Sequence, residues 1–370
     1  MSNTATVLAF DFGASSGRAI RAVYDGQNLT YEEIHRFENV PIEKDGHLCW
    51  DVETLLKEIH TAIQKAGTFD SLGFDTWGVD FGLLDADGHL LANPVHYRDA
   101  RTNGKPEQAA ACMPAEELYA HTGNQIMAIN SLFQLLALRE QDSELLQKAE
   151  HILFMPDLFA TLLGAEPVCE RSIASTSQML DPRTGLWSRE VLTAYGLKEN
   201  HFAPLVASGT VTGTLANGAK IIAVAGHDTQ CASAAMPCAE EDAEHTAFLS
   251  CGTWSLLGTE LDAPILTADS CQSGLSNELG ASGKINYLKN IIGLWLIQES
   301  RREYKRRGQA YSFAELEQQA LAAVPLRSFI DPDAPEFVAP GDLPGRIQEF
   351  CRRTGQPIPE TVGAVMRCIY

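Results

Sequence analysis

The feature that most constrains this 370-residue chain is a strand–turn–strand pattern that occurs twice, about 240 residues apart. The first copy covers residues 7–20 and the second covers residues 246–258. In each copy, two apolar stretches flank a turn of small, glycine and hydroxyl residues. Glycine lets the backbone approach a ligand closely, and successive N–H groups with nearby hydroxyls form a concavity for anions. Two such turns predict an ATP-using protein whose two domains arose by duplication.

The length of the chain predicts two domains. The Pro/Cys/acidic stretch Pro237–Glu244 is the best boundary, which gives domains at 1–240 and 241–370 with a hinge at 236–245. The second half is too short to repeat the first, since about 125 residues follow His245. The apolar spacing at its end is helical. We therefore expect an incomplete second domain that stops inside a helix; the alternative is a small second domain that finishes there.

The order of elements predicts an α/β fold. Residues 6–11 and 17–24 form the first hairpin, and residues 29–37 add a third antiparallel strand. Asp51 has the position of a helix N-cap, and residues 71–75 form a buried strand. This order suits a mixed sheet with helices packed on it.

Farther along, residues 104–165 are expected to be largely helical. Residues 221–225 form a buried strand, and a helix of small residues follows at 231–235.

Charge and composition exclude several function classes. The net charge of -20 argues against nucleic acid and anionic membranes as partners. No apolar run reaches the roughly 18 residues of a spanning helix, and the N-terminus lacks a secretory signal. We expect a cytoplasmic protein without an obligate protein partner. The nine cysteines lack C-x-x-C spacing, which makes structural zinc unexpected; whether Cys351 and Cys368 pair stays open.

Asp11 is the first candidate site residue, because it ends a strand beside the first turn. A carboxylate there can hold Mg²⁺ through water. The alternative is a surface aspartate on an ordinary hairpin. The second copy of the turn, at Gly252-Thr253, favours the ligand-binding interpretation.

Asp228 is the second candidate, because it follows a glycine at the end of a buried strand, where ligands gather in open α/β sheets. An alcohol that attacks ATP needs a base to take its proton. The alternative is that Asp228 or Thr229 caps the next helix, and both interpretations can hold together.

A third cluster would suit a polyol. Gly78 lets a sugar approach the backbone, and carboxylates nearby accept hydrogen bonds from its hydroxyls; the cluster comprises Asp75, Trp77, Gly78 and Asp80. A Trp buried against the sheet is the alternative. Asn290 and Gln298 flank an apolar segment and would reach sugar and nucleotide respectively, or be polar residues at a helix edge.

These motifs, taken together and in this order, resemble the FGGY family of carbohydrate kinases, and within it the kinases of L-rhamnulose. The matching segments are residues 11–18 (DFGASSGR), 75–81 (DTWGVDF), 97–103 (YRDARTN), 227–229 (HDT), 250–255 (SCGTWS) and 288–295 (LKNIIGLW). Most of the family has Gly-Thr after the first aspartate, so the ASSGR sequence here is specific. The resemblance covers essentially the whole chain.

The resemblance implies duplicated ribonuclease-H-like (actin-like ATPase) domains around a central cleft. It also implies ATP-dependent phosphorylation of L-rhamnulose at its 1-hydroxyl, with Mg²⁺. The implied nucleotide contacts are Ala14, Ser15, Ser16, Gly17, Arg18, Thr253 and Gln298. The implied sugar contacts are Gly78, His227, Asp228, Thr229 and Asn290. Asp228 would be the general base, and Asp11 would support the metal through water.

One departure matters: the family continues beyond the point where this chain ends, with an adenine-binding motif. We therefore expect the chain as written to bind ATP weakly and to have little activity. Three alternatives remain: a kinase for another ketose such as fuculose or xylulose, an actin-like ATPase without a sugar substrate, and a ligand-binding remnant without turnover.

Overall fold

The computed structural model of the chain describes residues 4–239, 242 and 245–370. They fall into two compact units. The first unit comprises Met1–Phe248 and Gly258–Lys289, and the second comprises Leu249–Leu257 and Asn290–Tyr370. The boundary expected at 240/241 rests on residues that lie outside the described part of the chain, so it stays a prediction; those residues are Glu240, Glu241, Ala243 and Glu244.

The strands of the described chain are β1 Ala5–Phe12, β2 Ser16–Tyr24, β3 Leu29–Glu38, β4 Ile42–Lys44, β5 His47–Cys49, β6 Ser71–Thr76, β7 Phe81–Leu84, β8 His151–Phe154, β9 Cys169–Glu170, β10 Leu180–Asp181, β11 Leu186–Trp187, β12 Leu205–Val206, β13 Thr210–Thr214, β14 Lys220–Ala223, β15 Phe248–Cys251, β16 Trp254–Leu261, β17 Ser276–Leu279 and β18 Ile285–Ile292.

The helices are α1 Val52–Ala66, α2 Lys105–Ala109, α3 Ala115–Thr122, α4 Ser131–Gln141, α5 Ser143–Lys148, α6 Met155–Leu162, α7 Arg171–Ala174, α8 Arg189–Ala194, α9 Asp228–Ala234, α10 Ala268–Gln272, α11 Trp295–Arg306, α12 Phe313–Ala322, α13 Leu343–Arg353 and α14 Val362–Ile369. No helix among the described residues is long and apolar enough to cross a bilayer.

Six strands build the main sheet of the first unit, in the order β13–β14–β6–β1–β2–β3. β1 is antiparallel to β2 and parallel to β6, and β14 runs parallel to β6. Alternate side chains of β1 point into the core, where Leu8, Phe10 and Phe12 are fully buried. The mixed sheet and its first hairpin are as predicted. The carboxyl ends of β1, β6 and β14 consequently lie next to one another.

Helix α1 shows why the local prediction succeeds. The Asp51 side chain accepts a hydrogen bond from the Thr54 amide, which satisfies an otherwise free N–H at the helix start. Leu55 and Ile59 repeat at helical spacing and are buried in the apolar core of the first unit.

The stretch 104–165 is largely helical, as expected, with α2 to α6 in it; strand β8 interrupts it and pairs with β7. One expectation needs correction. The helix expected at 231–235 begins earlier, at Asp228, with His227 as its N-cap residue. Asp228 therefore occupies the first helical position and does not cap the helix from outside.

The second unit has its own apolar core. Buried residues of α11, α13 and α14 meet there, among them Leu296, Ile347 and Met366. The apolar spacing near the end of the chain forms α14, as predicted. Cys351 and Cys368 lie in this core as free, buried thiols, so no disulfide joins them.

Candidate functional site

The first turn lies between β1 and β2. The Gly13 amide donates to the carbonyl of Ser16 over 2.9 Å, which closes the turn, and the Asn39 side chain donates to the Gly13 carbonyl. At Gly17, a Cβ would come within 2.2 Å of the Phe37 ring, so packing alone already demands glycine there. Ser15 is exposed at the tip of the turn.

Asp11 and Arg18 face each other across this hairpin. They are register partners on β1 and β2, and Arg18 Nε lies 3.1 Å from Asp11 Oδ2. Both side chains keep about a third or more of their surface exposed, at 33% and 40% respectively. The pair therefore presents a cation and a carboxylate at the mouth of the turn.

Three carboxylates converge at the strand ends. Asp75 is the β6 partner of Asp11. Burial raises the pKa of Asp75 well above its usual range, and the negative charges of Asp11 and Asp228 add to that increase. Burial likewise raises the pKa of Asp228, against the opposing charge of His227 and the hydrogen bond from Thr229. Oxygen ligands of this kind suit a hard divalent cation such as Mg²⁺.

The His227-Asp228-Thr229 segment follows β14. His227 bridges to Thr76 in parallel fashion, and the Thr76 amide donates to the Gly226 carbonyl. The Thr229 amide donates to Asp228 Oδ1 over 2.6 Å. The Asp228 side chain keeps 40% of its surface exposed. A partly exposed carboxylate with a raised pKa at a strand end has the properties of a general base.

Glu170 is hydrogen-bonded to Gly226, the residue that precedes this segment. It is 1% exposed, and its Oε2 accepts a hydrogen bond from the Gly226 amide over 3.0 Å. A Cβ on Gly226 would approach Pro156 Cγ to 2.8 Å, so the backbone passes close to α6.

Gly78 begins a strained loop beside His227. Val79 has a φ of +67°, a left-handed conformation that is costly for a β-branched residue. Its amide donates to Thr176 Oγ1 over 3.1 Å, and Ser131 donates to its carbonyl. A Cβ on Gly78 would lie 3.4 Å from His227 Nε2 and from the Thr176 side chain. The loop thus turns a bare backbone face toward His227.

Asp80 belongs to the core of this loop. It is fully buried, and its Oδ2 accepts hydrogen bonds from the indole N–H groups of Trp50 and Trp77 at 2.6 and 3.0 Å. Burial raises the pKa of Asp80 to about 6, although hydrogen bonds from Trp50, Gln134 and Trp77 oppose the increase. Trp77 and Asp80 therefore act as a buried support for the Gly78 loop, and for Trp77 this agrees with the alternative of a buried Trp.

The second turn belongs to the second unit. The Thr253 hydroxyl donates to Gln298 Oε1 over 3.4 Å, and the Trp295 amide at the start of α11 donates to the Thr253 carbonyl. Thr253 and Gln298 are thus neighbours, as their shared predicted role requires. Asn290 lies near the end of β18 and is partly buried.

Sequence reasoning missed two contributors in the first unit, Thr176 and Glu278. Glu278 is 4% exposed and lies within β17, where all four residues are buried. A glutamate inside a short buried strand requires polar partners. That requirement was a signal in the sequence, but the strand itself was not predicted.

Comparisons with known proteins identify relatives along the whole chain. The profile of the N-terminal domain of the FGGY family of carbohydrate kinases matches residues 6–234, and that of the C-terminal domain matches residues 247–370. A rhamnulokinase of Bacteroides thetaiotaomicron is 42% identical over 98% of this chain, and one of Bacillus subtilis is 37% identical over 98%. The chain spans 76% of the length of each.

Solved structures agree on the fold. A xylulose kinase from Lactobacillus acidophilus superposes with a TM-score of 0.70 at 15% identity, and a Plasmodium falciparum glycerol kinase with ADP superposes at 0.64 and 14%. Each alignment covers 86% of this chain and 66% of the solved chain. At these identities the likeness concerns the fold alone.

Proposed function

The chain belongs to the FGGY family of carbohydrate kinases, and we propose that it transfers the γ-phosphoryl group of ATP to the 1-hydroxyl of L-rhamnulose. The relatives named rhamnulokinase, at 37–42% identity, support this substrate. The observation that carries the proposal is the neighbourhood of Asp228, where a carboxylate of raised pKa, His227 and the bare face of Gly78 meet at the strand ends.

Asp228 acts as the general base in the proposed reaction. It accepts the proton of the attacking hydroxyl, and its raised pKa brings it nearer to the working pH. The Thr229 amide fixes one of its oxygens. Phosphoryl transfer depends mostly on positioning and on electrostatic stabilisation, so a well-held carboxylate is what the protein must supply.

The sugar is held by neighbouring groups. Gly78 lets the ketose approach the backbone, and His227 Nε2 offers a hydrogen bond beside it. Thr229 completes the proposed sugar contacts of the first unit. For the second unit, the resemblance to the family alone suggests Asn290 as a sugar contact.

Donors at each turn, considered unit by unit, are proposed to contact phosphates of ATP. In the first unit these are the backbone and hydroxyls of residues 14–17 and the guanidinium of Arg18. In the second unit Thr253 contacts the phosphates, and Gln298 contacts the nucleotide. Backbone N–H groups of a turn and a guanidinium beside it are donors of the kind that bind polyphosphates.

Asp11 would hold Mg²⁺ through water. The donor set fits, because three carboxylates lie together and their mutual repulsion contributes to the raised pKa of Asp75. When bound, the ion would neutralise negative charge on the phosphate oxygens.

A coupled assay of ADP release from Mg-ATP tests this function, with L-rhamnulose, L-fuculose, D-xylulose or no sugar. We expect slow release, because the chain as written should bind ATP weakly, and this release should depend on L-rhamnulose and be lost in Asp228→Asn. Asp262→Asn is a matched control, since that aspartate side chain is 93% exposed on the same unit. Equal release without sugar would instead indicate an ATPase, and a preference for another ketose would overturn the substrate assignment.

Calorimetric titration with L-rhamnulose is the companion measurement. Sugar binding without turnover would indicate a ligand-binding remnant. If neither binding nor sugar-dependent release occurred, the proposed function would be refuted.

A further inference from the structure

Glu278 is a buried carboxylate beside His227, and the proposed reaction assigns it no role. It lies on β17, and its side chain is 5% exposed. Its Oε2 accepts a hydrogen bond from Gln230 Nε2 over 2.7 Å and lies 3.0 Å from His227 Nδ1. Taking a charge out of water is expensive unless partners compensate, so the contact with His227 is part of what makes this glutamate tolerable.

His227 thereby lies between two carboxylates. Its Nδ1 faces Glu278 Oε2 at 3.0 Å, and its Nε2 faces Asp228 Oδ1 at 3.4 Å. A carboxylate can only accept hydrogen bonds, so Nδ1 carries a proton and donates a hydrogen bond to Glu278. The ring is then fixed in orientation, and Nε2 is directed to Asp228 and to the face of Gly78.

We propose that Glu278 is a positioning residue of the phosphoryl-transfer site, which holds the His227 ring so that Nε2 meets both Asp228 and the sugar. This inference rests on the proposed function. It assigns a role to a residue 50 positions away from Asp228 along the chain. A residue that orients an imidazole through its second nitrogen commonly governs what the first nitrogen can do.

The surrounding charges agree with this arrangement. Burial lowers the pKa of His227, but the charge and hydrogen bond of Glu278, with the charges of Asp228 and Glu170, outweigh it, and the net change is an increase. Asp11 faces Asp228 from β1 and raises its pKa further. The positive charge of His227 offsets part of the repulsion between Asp11 and Asp228.

A purely structural role is the competing explanation. Glu278 also joins β17 to α9 through Gln230, and Asn286 donates in turn to Gln230 and to Ser233. If tying these elements together were its whole task, cutting the tie at Gln230 would have the same effect as changing Glu278.

A double-mutant cycle separates the two roles. The variants are Glu278→Gln, His227→Gln, the double variant and Gln230→Met, which removes the hydrogen bonds of Gln230 with Glu278 and Asn286 but leaves Glu278 beside His227. We expect Glu278→Gln to lower kcat/KM for L-rhamnulose at least 10-fold in the wild-type background and less than 2-fold in the His227→Gln background. Gln230→Met should lower thermal stability and change kcat/KM less than 3-fold.

Nitrogen NMR of the imidazoles is the second readout, with His227 assigned from its absence in His227→Gln. The Nδ1 signal should shift in Glu278→Gln, whether or not the enzyme turns over. Independent effects of Glu278→Gln and His227→Gln, or an unshifted Nδ1 signal, would overturn the positioning role. If the wild type showed no sugar-dependent turnover and no sugar binding, the proposed function would fail first, and the positioning role would fail with it.

Discussion

Replacing Gly78 by alanine should weaken sugar binding while leaving the fold intact. The added Cβ would meet His227 Nε2 and two Thr176 atoms at 3.4 Å, which is ordinary van der Waals contact. The backbone at Gly78 does not need the left-handed region, since the positive φ belongs to Val79. We therefore expect a change in the free energy of unfolding of less than about 1 kcal/mol.

The same methyl occupies the face on which the sugar is proposed to lie. A sugar hydroxyl that is hydrogen-bonded to His227 Nε2 would lie about 2.8 Å from that nitrogen. The alanine methyl would lie 3.4 Å from the same nitrogen, so the hydroxyl and the methyl would compete for the same space. Loss of a hydrogen bond to a charged group is worth about 1.5–3 kcal/mol. That range corresponds to a rise of roughly 10- to 160-fold in the KM for L-rhamnulose.

The assay is a titration of L-rhamnulose against ADP release, with thermal unfolding of the same samples. Gly226→Ala provides the contrast, because its Cβ would come within 2.8 Å of Pro156 Cγ. We expect it to lose about 1–3 kcal/mol of stability through overpacking. A sugar KM within twofold of wild type in a stably folded Gly78→Ala would refute the placement of the sugar at Gly78. An unfolding temperature that fell as far as that of Gly226→Ala would refute the packing argument.

Three further outcomes are expected. Asp228→Asn should lower kcat by about 10²- to 10⁴-fold, yet melt no earlier than wild type, since burial disfavours the ionised form that the amide replaces; parallel loss of activity and stability would contradict this. Burial raises the pKa of Asp80 to about 6, so the folded state holds this proton more tightly than the unfolded chain does. Its contribution to stability is therefore present at low pH and is lost as pH rises from about 4 to about 6, by roughly 1–3 kcal/mol. In denaturant titrations across this range, the free energy of unfolding of wild type should fall relative to that of Asp80→Asn as pH rises. A constant difference between the two proteins would count against this role of Asp80. Thr253→Val should raise the KM for ATP several-fold without changing that for sugar, and equal effects on both would exclude a specific role at the phosphates.

Part of the site could be read from the sequence because it depends on local chemistry. The glycine-hydroxyl turn, the Asp51 cap and the apolar alternation of β1 are each decided by a few neighbouring residues. The segment from His227 to Thr229 follows a buried strand, which is enough to put Asp228 at the edge of the sheet. The resemblance of these motifs to carbohydrate kinases then predicted the family, and the comparisons confirm it.

Other features needed the tertiary structure because they depend on residues far apart in the chain. The short strands β4 and β5, and β8 within a helical region, carry too few residues for a periodic signal. The left-handed Val79 is held by Thr176 and Ser131, which lie 97 and 52 positions away. Asp80 is a buried acceptor for two indole N–H groups. Its spacing in the sequence alone could not distinguish this role from a role in sugar binding.

The sequence by itself determined the longer elements and where the reactive groups stand along the chain, since hydrogen-bond caps, turn residues and hydrophobic periodicity act over a few residues. Only the tertiary structure decided what surrounds those groups. The raised pKa values of Asp75 and Asp228, and the contact of Glu278 with His227, arise from burial and from charges on separate strands. Desolvation and Coulomb interactions depend on distance in space, which the order of residues does not specify.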